Sequence, residues 1–206
     1  TCSNYGYIKG NELADEEHEL SPLSLYAKSK VNSEKYIFSL QGNTEMTPTI
    51  LRFATAFGIS PRMRFDLTVS EFTRNLAMDK ELLVYDPQTW RPYCHVLDFA
   101  RLIKMIIEAP EEKVSFEVFN AGGQVNNATK KMIVNFILEK IPEGKISYLE
   151  HGSDPRNYRV NFEKVKSVLG FEPKYTIKDG IDELLEAIEN HVFDHVEKNN
   201  DFFGNY

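Results

Sequence analysis

Cysteine is nearly missing from this chain: Cys2 and Cys94 are the only two among 206 residues. Two cysteines make no disulfide framework, so the sequence reads as that of a protein kept in a reducing cytoplasm. Long apolar runs are missing too. No stretch approaches the roughly 20 residues a bilayer-spanning helix needs, which argues against a membrane partner, and no signal-peptide pattern is visible. A basic excess is missing: 24 Lys and Arg stand against 31 Asp and Glu, for a net charge of −7. Binding a phosphate backbone takes clustered cations, so nucleic acid is excluded as a partner. The acidity is equally too mild for a disordered acidic tail. Glycine is sparse, and its 11 residues contain neither G-x-x-G-x-x-G nor G-x-G-x-x-G. An initial Met is also missing, and the opening Thr1-Cys2-Ser3 reads as cut into rather than started.

What is present is ordinary globular material, 42% hydrophobic and 27% charged, enough for one domain or a domain and a half. Residues 1–3 read as the end of a strand and 6–20 as a polar loop. Ser21 as N-cap and Pro22 in the first turn predict a helix over 22–40, stopped at Gly42. The β-branched, apolar 49–54 predicts a buried strand. A helix follows over 66–78, then extended segments at 81–85 and 91–96. Asp98 is expected to cap a helix over 99–108, and Asn127 another to about residue 141. Strands are expected at 116–120 and 145–149, with a short helix from Asn161 to Gly170. Residues 178–195 carry Ile181, Leu184, Leu185, Ile188 and Val192 on one helical face. The last residues, NNDFFGNY, read as a loose tail. This alternation predicts an α/β fold with a mostly parallel sheet.

The pattern richest in chemistry is Tyr26-Ala27-Lys28-Ser29-Lys30. Tyr and Lys four apart on a helix share a face. An ammonium beside a phenol favours the phenolate, which can take a proton from a sugar hydroxyl while hydride leaves the same carbon. Thr1 is the candidate hydroxyl to hold the reacting oxygen. The pattern alone is weak: Tyr5-Gly6-Tyr7-Ile8-Lys9 also matches, but in a glycine-containing loop where the pair need not share a face.

Further motifs stand in order along the chain. Thr1 precedes Asn4-Tyr5-Gly6; Ser21-Pro22-Leu23-Ser24-Leu25-Tyr26 leads to Lys30 and Glu34. Arg52 to Gly58 reads RFATAFG, Arg91 to Asp98 RPYCHVLD, and Phe119 to Gly123 FNAGG; Gly170-Phe171-Glu172-Pro173 comes last. Together they resemble the extended short-chain dehydrogenase/reductase family, in its NAD-dependent epimerase/dehydratase branch.

The resemblance implies the C-terminal part of a Rossmann-like parallel sheet plus a small α/β substrate domain. Residues 1–60 would be the remainder of the Rossmann-like domain with its catalytic helix. Residues 61–206 would be mainly the sugar-nucleotide domain, with segments returning to the sheet. The glycine-rich turn and acidic ribose ligand of the family would lie upstream. Thr1, Tyr26 and Lys30 would be catalytic, with Tyr26, Lys30 and Phe53 on NAD or NADP. Ser3, Thr55, Arg64, Arg91 and Arg156 would hold a nucleotide-diphosphate sugar, Arg forks matching its phosphates. A homodimer would form through the helix 22–40. The activity implied is epimerisation, most simply at C4, by transient oxidation of a sugar carbon. A keto-sugar-nucleotide reductase or a non-catalytic scaffold of the same fold are the alternatives.

Three positions depart from the family pattern. Thr55 stands where R-x-x-N has Asn. Cys2-Ser3 follow Thr1 where the dehydratases carry Asp-Glu, which disfavours dehydration. Ser3 stands where 3,5-epimerising relatives have Cys, so Cys2 reads as a small buried residue. Of the rest, Arg62 and Arg64 read equally as surface charges, and His95 and Trp90 as packing residues. His191 and His195, spaced i, i+4, lack a third metal ligand.

Overall fold

The computed structural model describes residues 1–206 except 151, 153, 195, 197–199, 205 and 206. Thr1 does not end a strand. Its side chain caps a 3-10 turn over Cys2–Tyr5, which Gly6 closes with φ of 66°. Residues 6–20 are mostly loop, but Leu13–Ala14 forms a short strand, β1. Helix α1 spans Leu25–Ser39 and is capped by Ser24, whose Oγ accepts from the Ala27 N–H at 3.1 Å. Ser21 and Pro22 therefore precede the helix instead of opening it, because Ser24 sits where its oxygen reaches the orphan amides.

The expected strand at 49–54 is β2, Ile50–Phe53. The chain then changes partner. Ala54 still donates to Ala121 O, but Thr55–Phe57 form a separate strand, β3. Helix α2 covers Thr68–Ala77, followed by β4 (Leu82–Tyr85) and β5 (Trp90–His95). Helix α3, Val96–Glu108, is capped by His95 rather than Asp98, the imidazole accepting from the Leu97 N–H. Strand β6 is Val118–Ala121, and Asn127 lies in β7, Asn127–Thr129, leaving Thr129 to cap α4, Lys130–Leu138. The remaining elements are β8 (Ile146–Leu149), β9 (Arg159–Val160), α5 (Glu163–Leu169) and α6 (Ile177–Glu189). The expected loose tail contains a last helical turn, α7, Asn200–Phe203.

Pairing is parallel for β1 with β9, β2 with β6, β3 with β5 and β4 with β8, while β7 joins β5 antiparallel. One apolar cluster gathers around β2 and β6, with Phe119, Leu102 and Phe171 at its centre. A second lies among α2, α4 and α6, with Phe72, Ile133 and Ile181. Loops that leave the ends of parallel strands where pairing switches are a recurrent place for ligands, and the β2-to-β3 break at Ala54 is such a place. Among the described residues no helix is long and apolar enough to cross a membrane.

Candidate active site

A cleft of about 510 Å³ opens at the β2-to-β3 break. Phe53, Ala54 and Thr55 come from the break itself, and Thr1, Ser3 and Tyr26 from the 3-10 turn and the start of α1. Arg91 on β5 and Arg156 after β8 line it as well. The cleft thus brings together seven residues singled out in the sequence.

Thr1 Oγ1 lies 3.2 Å from Ser3 Oγ, so two hydroxyls stand side by side. Tyr26 is 57% exposed, and Lys30, one turn further along α1, places its Nζ 5.5 Å from the Tyr26 ring centre. Lys30 reaches the cleft through Tyr26 and is not part of its lining. The competing Tyr5 is spent in the interior. Its hydroxyl accepts from Arg52 Nη1 at 2.8 Å and donates to Asn120 Oδ1 at 2.7 Å. Burial pushes its proton affinity well above the usual tyrosine value, despite the nearby Arg52. Tyr5 is fixed as a protonated core residue, which separates the two Y-x-x-x-K matches.

Arg64 is not in the cleft. It forms a two-point ion pair with Asp66, Nε to Oδ1 at 2.9 Å and Nη2 to Oδ2, and lines a smaller neighbouring cavity with Arg62. It is Asp66 that faces the cleft. Cys2 is buried, its Sγ donating to Arg52 O at 3.0 Å, and burial pushes the thiol up to about 12. A thiol that stays protonated this far above neutrality is no proton acceptor. His95 is fully buried, stacked on Tyr175 at 4.4 Å and 2.9 Å from Glu183. Trp90 opens β5 under the Arg159 guanidinium. His191 pairs with Asp194, and His195 lies outside the described residues. Among the described residues no group of three or more His, Cys, Asp or Glu is placed to hold a metal ion.

The rest of the cleft lining is less legible in the sequence. Lys130, the first residue of α4, donates its Nζ to Tyr85 O at 2.7 Å, and burial next to Arg91 lowers its pKa. Asp154 lies between the two arginines and accepts from Arg91 Nη2 at 3.1 Å and from Arg156 Nη2 at 2.7 Å. Burial raises the Asp154 pKa, but the Arg156 hydrogen bonds and the Arg91 charge outweigh it and hold the carboxyl well below the usual range. Glu71 lines the cleft as well, the pKa of its carboxyl raised by burial and by Asp66. Leu83 and Tyr85 of β4 supply an apolar and aromatic edge. Only the Arg-flanking acid of the sequence Asp154-Pro155-Arg156 could have been suspected.

Residues 1–122 match the NAD dependent epimerase/dehydratase family. The chain belongs to that family. Among curated relatives, the "Uncharacterized UDP-glucose epimerase YtcB" of Bacillus subtilis is 28% identical over 187 residues, covering 88% of this chain and 56% of that protein. The chain therefore spans about half the length of the curated relatives it matches. Two solved epimerase/dehydratase structures superpose well. The dTDP-glucose 4,6-dehydratase of Bacillus anthracis in complex with NAD gives a TM-score of 0.80 at 27% identity, covering 92% of this chain and 60% of that one. The UDP-glucuronic acid 4-epimerase of Bacillus cereus, in complex with UDP-glucuronic acid and NAD, gives 0.79 at 25%, covering 93% and 60%.

Proposed function

We propose that this chain supplies the catalytic helix and the sugar-nucleotide site of an NAD(P)-dependent nucleotide-sugar epimerase, most simply a 4-epimerase. One observation carries the reading: Thr1, Ser3 and Tyr26 share a single cleft with Arg91 and Arg156. Hydroxyls and a phenol thus share a space with guanidinium forks suited to a diphosphate. Residues 1–60 would form the catalytic part and 61–206 mainly the sugar-nucleotide part, as the sequence suggests.

In this reading Tyr26 takes the proton from the sugar hydroxyl, and Lys30 stabilises the resulting phenolate and holds the nicotinamide ribose. Thr1 and Ser3 orient the reacting oxygen, and Arg91 and Arg156 hold the diphosphate. Phe53, at the β2 end, lines the same cleft as Tyr26 and would give the cofactor's ring end an apolar wall. These residues fit the nicotinamide end of the dinucleotide; the 206 residues contain no glycine-rich turn for its pyrophosphate. When bound, the cofactor supplies a hydride acceptor that is regenerated within the turnover. Cys2, buried and protonated, and Ser3 leave no acid–base pair for water loss, which favours epimerisation over dehydration.

Two supporting features concern the assembly and its compartment. Helix α1 leaves Leu25 (84%) and Tyr36 (66%) strongly exposed, which suits a homodimer through this helix. Both cysteines are unpaired and buried, as a cytoplasmic protein allows.

The test is turnover of the intact protein with UDP-glucose and UDP-glucuronic acid, followed by sugar analysis and cofactor absorbance. Epimerised sugar without net cofactor consumption supports the proposal. Stoichiometric loss of NADPH with a keto-sugar substrate would replace it with a reductase, and no turnover with any nucleotide sugar would leave a scaffold.

A further inference from the structure

The cleft is lined by three cations, Arg91, Lys130 and Arg156, and an anion of the chain's own is already seated among them. Asp154 accepts four hydrogen bonds there. Oδ2 takes Arg91 Nη2 at 3.1 Å and Arg156 Nη2 at 2.7 Å; Oδ1 takes Arg156 Nε at 2.7 Å and the Arg156 backbone N–H at 3.1 Å. The Nε and Nη2 edge of Arg156, the one that matches two phosphate oxygens at once, is therefore wholly spent on Asp154. Arg91 spends Nη1 on Trp90 O at 2.7 Å and offers Nη2 to the same carboxylate. Neither fork can take a diphosphate with its paired edge while Asp154 stays.

Arg91 and Lys130 are anchored independently of this acid, whereas Arg156 is held by Asp154 itself. Arg91 is 8% exposed, tied to its own strand and stacked on Tyr158 with its guanidinium 5.1 Å from the ring centre. Lys130 is tied to Tyr85 O. Asp154 belongs to the connection between β8 and β9, where its side chain is 37% exposed. It can turn toward solvent without moving Arg91, whose side chain is 9% exposed.

We propose that Asp154 is a built-in occupant of the diphosphate seat, displaced when a nucleotide diphosphate binds, and that Lys130 is the third cation of that seat. This rests on the reading of the cleft as a sugar-nucleotide site. A diphosphate brings more charge and more acceptor oxygens than one carboxylate, so the exchange favours the ligand. Without ligand, the carboxylate offsets the charge of the two guanidiniums it binds. It also weakens any anion that cannot outbid it, which makes Asp154 a filter for diphosphates over single carboxylates and monophosphates. A purely supporting role, in which Asp154 aligns the arginines for the ligand, predicts the opposite sign.

Calorimetric titration of the intact protein with inorganic pyrophosphate and with UDP separates the two. Asp154→Asn keeps the shape and removes the charge. It is expected to bind both ligands several-fold tighter, and Lys130→Met to bind both more weakly. In the wild-type protein, amide exchange at Arg156 is expected to speed up on pyrophosphate binding, because that N–H loses its Asp154 acceptor. This second readout needs no substitution and so survives a variant that fails to fold. Unchanged or weaker binding by Asp154→Asn, or unchanged or slower exchange at Arg156, overturns the proposal. Tighter pyrophosphate binding by the variant with no binding of UDP would keep the displaced anion and sink the sugar-nucleotide reading. Ordinary UDP binding that Asp154→Asn fails to tighten would sink the displacement alone.

Discussion

Glu34 and Arg52 form a two-point ion pair in the interior that ties α1 to β2, with Arg52 Nε on Glu34 Oε2 at 3.1 Å and Nη2 on Oε1. The guanidinium also donates from Nη1 to the Tyr5 hydroxyl and to Glu16 O at 2.9 Å, so one arginine joins the N-terminal turn, α1 and the strand that ends at the cleft. Both side chains are under a tenth exposed. Removing one partner of such a pair leaves an uncompensated buried charge, at a cost of about 3–5 kcal/mol.

Arg52→Met and Glu34→Gln should each lower stability by about 3 kcal/mol or more in urea denaturation. The double variant Glu34→Leu, Arg52→Met should recover part of the loss, since no lone charge remains. Single variants within about 0.5 kcal/mol of wild type would show that the pair is not buried as described.

Tyr26 and Tyr5 should respond in opposite ways to loss of the hydroxyl. Tyr26→Phe is expected to cut turnover by about 10²–10⁴-fold with little change in melting temperature, since the ring is largely exposed. Tyr5→Phe leaves Asn120 Oδ1 without its donor and one of the Arg52 Nη1 N–H groups without its acceptor, and should cost about 1–3 kcal/mol of stability. Turnover by a stably folded Tyr26→Phe at the wild-type rate would remove the phenol from the mechanism.

Much of this contrast could be read from the chain. The order of elements, the parallel pairing and the face shared by Tyr26 and Lys30 follow from hydrophobic period and helix geometry, which are local. Cap positions shifted because several polar residues compete near each helix start, and the winner depends on where neighbouring backbone leaves room. Ser24 prevailed over Ser21, and Thr129 over Asn127. The strand break at Ala54 was hidden, since RFATAF is uniformly extended and only the partners reveal that β2 meets β6 while β3 meets β5. Lys130, Asp154 and Glu71 were invisible as a group because they come from three separate segments. Arg64 was assigned to the ligand because sequence shows a cation in the right region and not the Asp66 two residues on that occupies it.

Gly6 and Gly10 have similar positive φ, 66° and 68°, but different surroundings. A Cβ on Gly6 would lie 2.0 Å from Ser21 O, a backbone atom of the segment leading into α1, whereas one on Gly10 meets nothing within 4 Å. Gly10→Ala should therefore cost only the left-handed conformational penalty, about 1–2 kcal/mol, and Gly6→Ala distinctly more. Equal melting temperatures for the two variants would contradict the close approach of Ser21.

Acid should expose the Asp154 contacts. Its folded-state pKa lies below the ordinary carboxylate value, so its contribution to stability is complete above about pH 4 and is lost as pH falls through the lower, folded pKa. Because the group is more than a third exposed, solvent screening keeps the effect modest. Wild type should lose stability more steeply than Asp154→Asn below about pH 4, and the two should run parallel above it. Parallel curves throughout the acid range would mean that the arginines do not hold this carboxylate.

The chain's last turn makes a claim on the cleft from a distance. Phe203 sits with Phe65 and Phe193, the ring centres 6.0 Å and 6.3 Å from it, and Phe203 O accepts from the Phe65 N–H at 2.7 Å. Phe65 is 2% exposed and adjoins Asp66, which lines the cleft, so the tail holds down the segment that leads into α2. Phe203→Ala removes part of a half-buried ring and three aromatic contacts, to Phe65, Phe193 and Phe202, which should cost about 2 kcal/mol. Phe202 is 49% exposed, and its alanine variant should stay within about 0.5 kcal/mol of wild type. If the anchoring matters to the site, Phe203→Ala should also weaken UDP binding at temperatures where the protein remains folded, and Phe202→Ala should not. Equal stability of the two variants would return the tail to the loose end that its composition suggested.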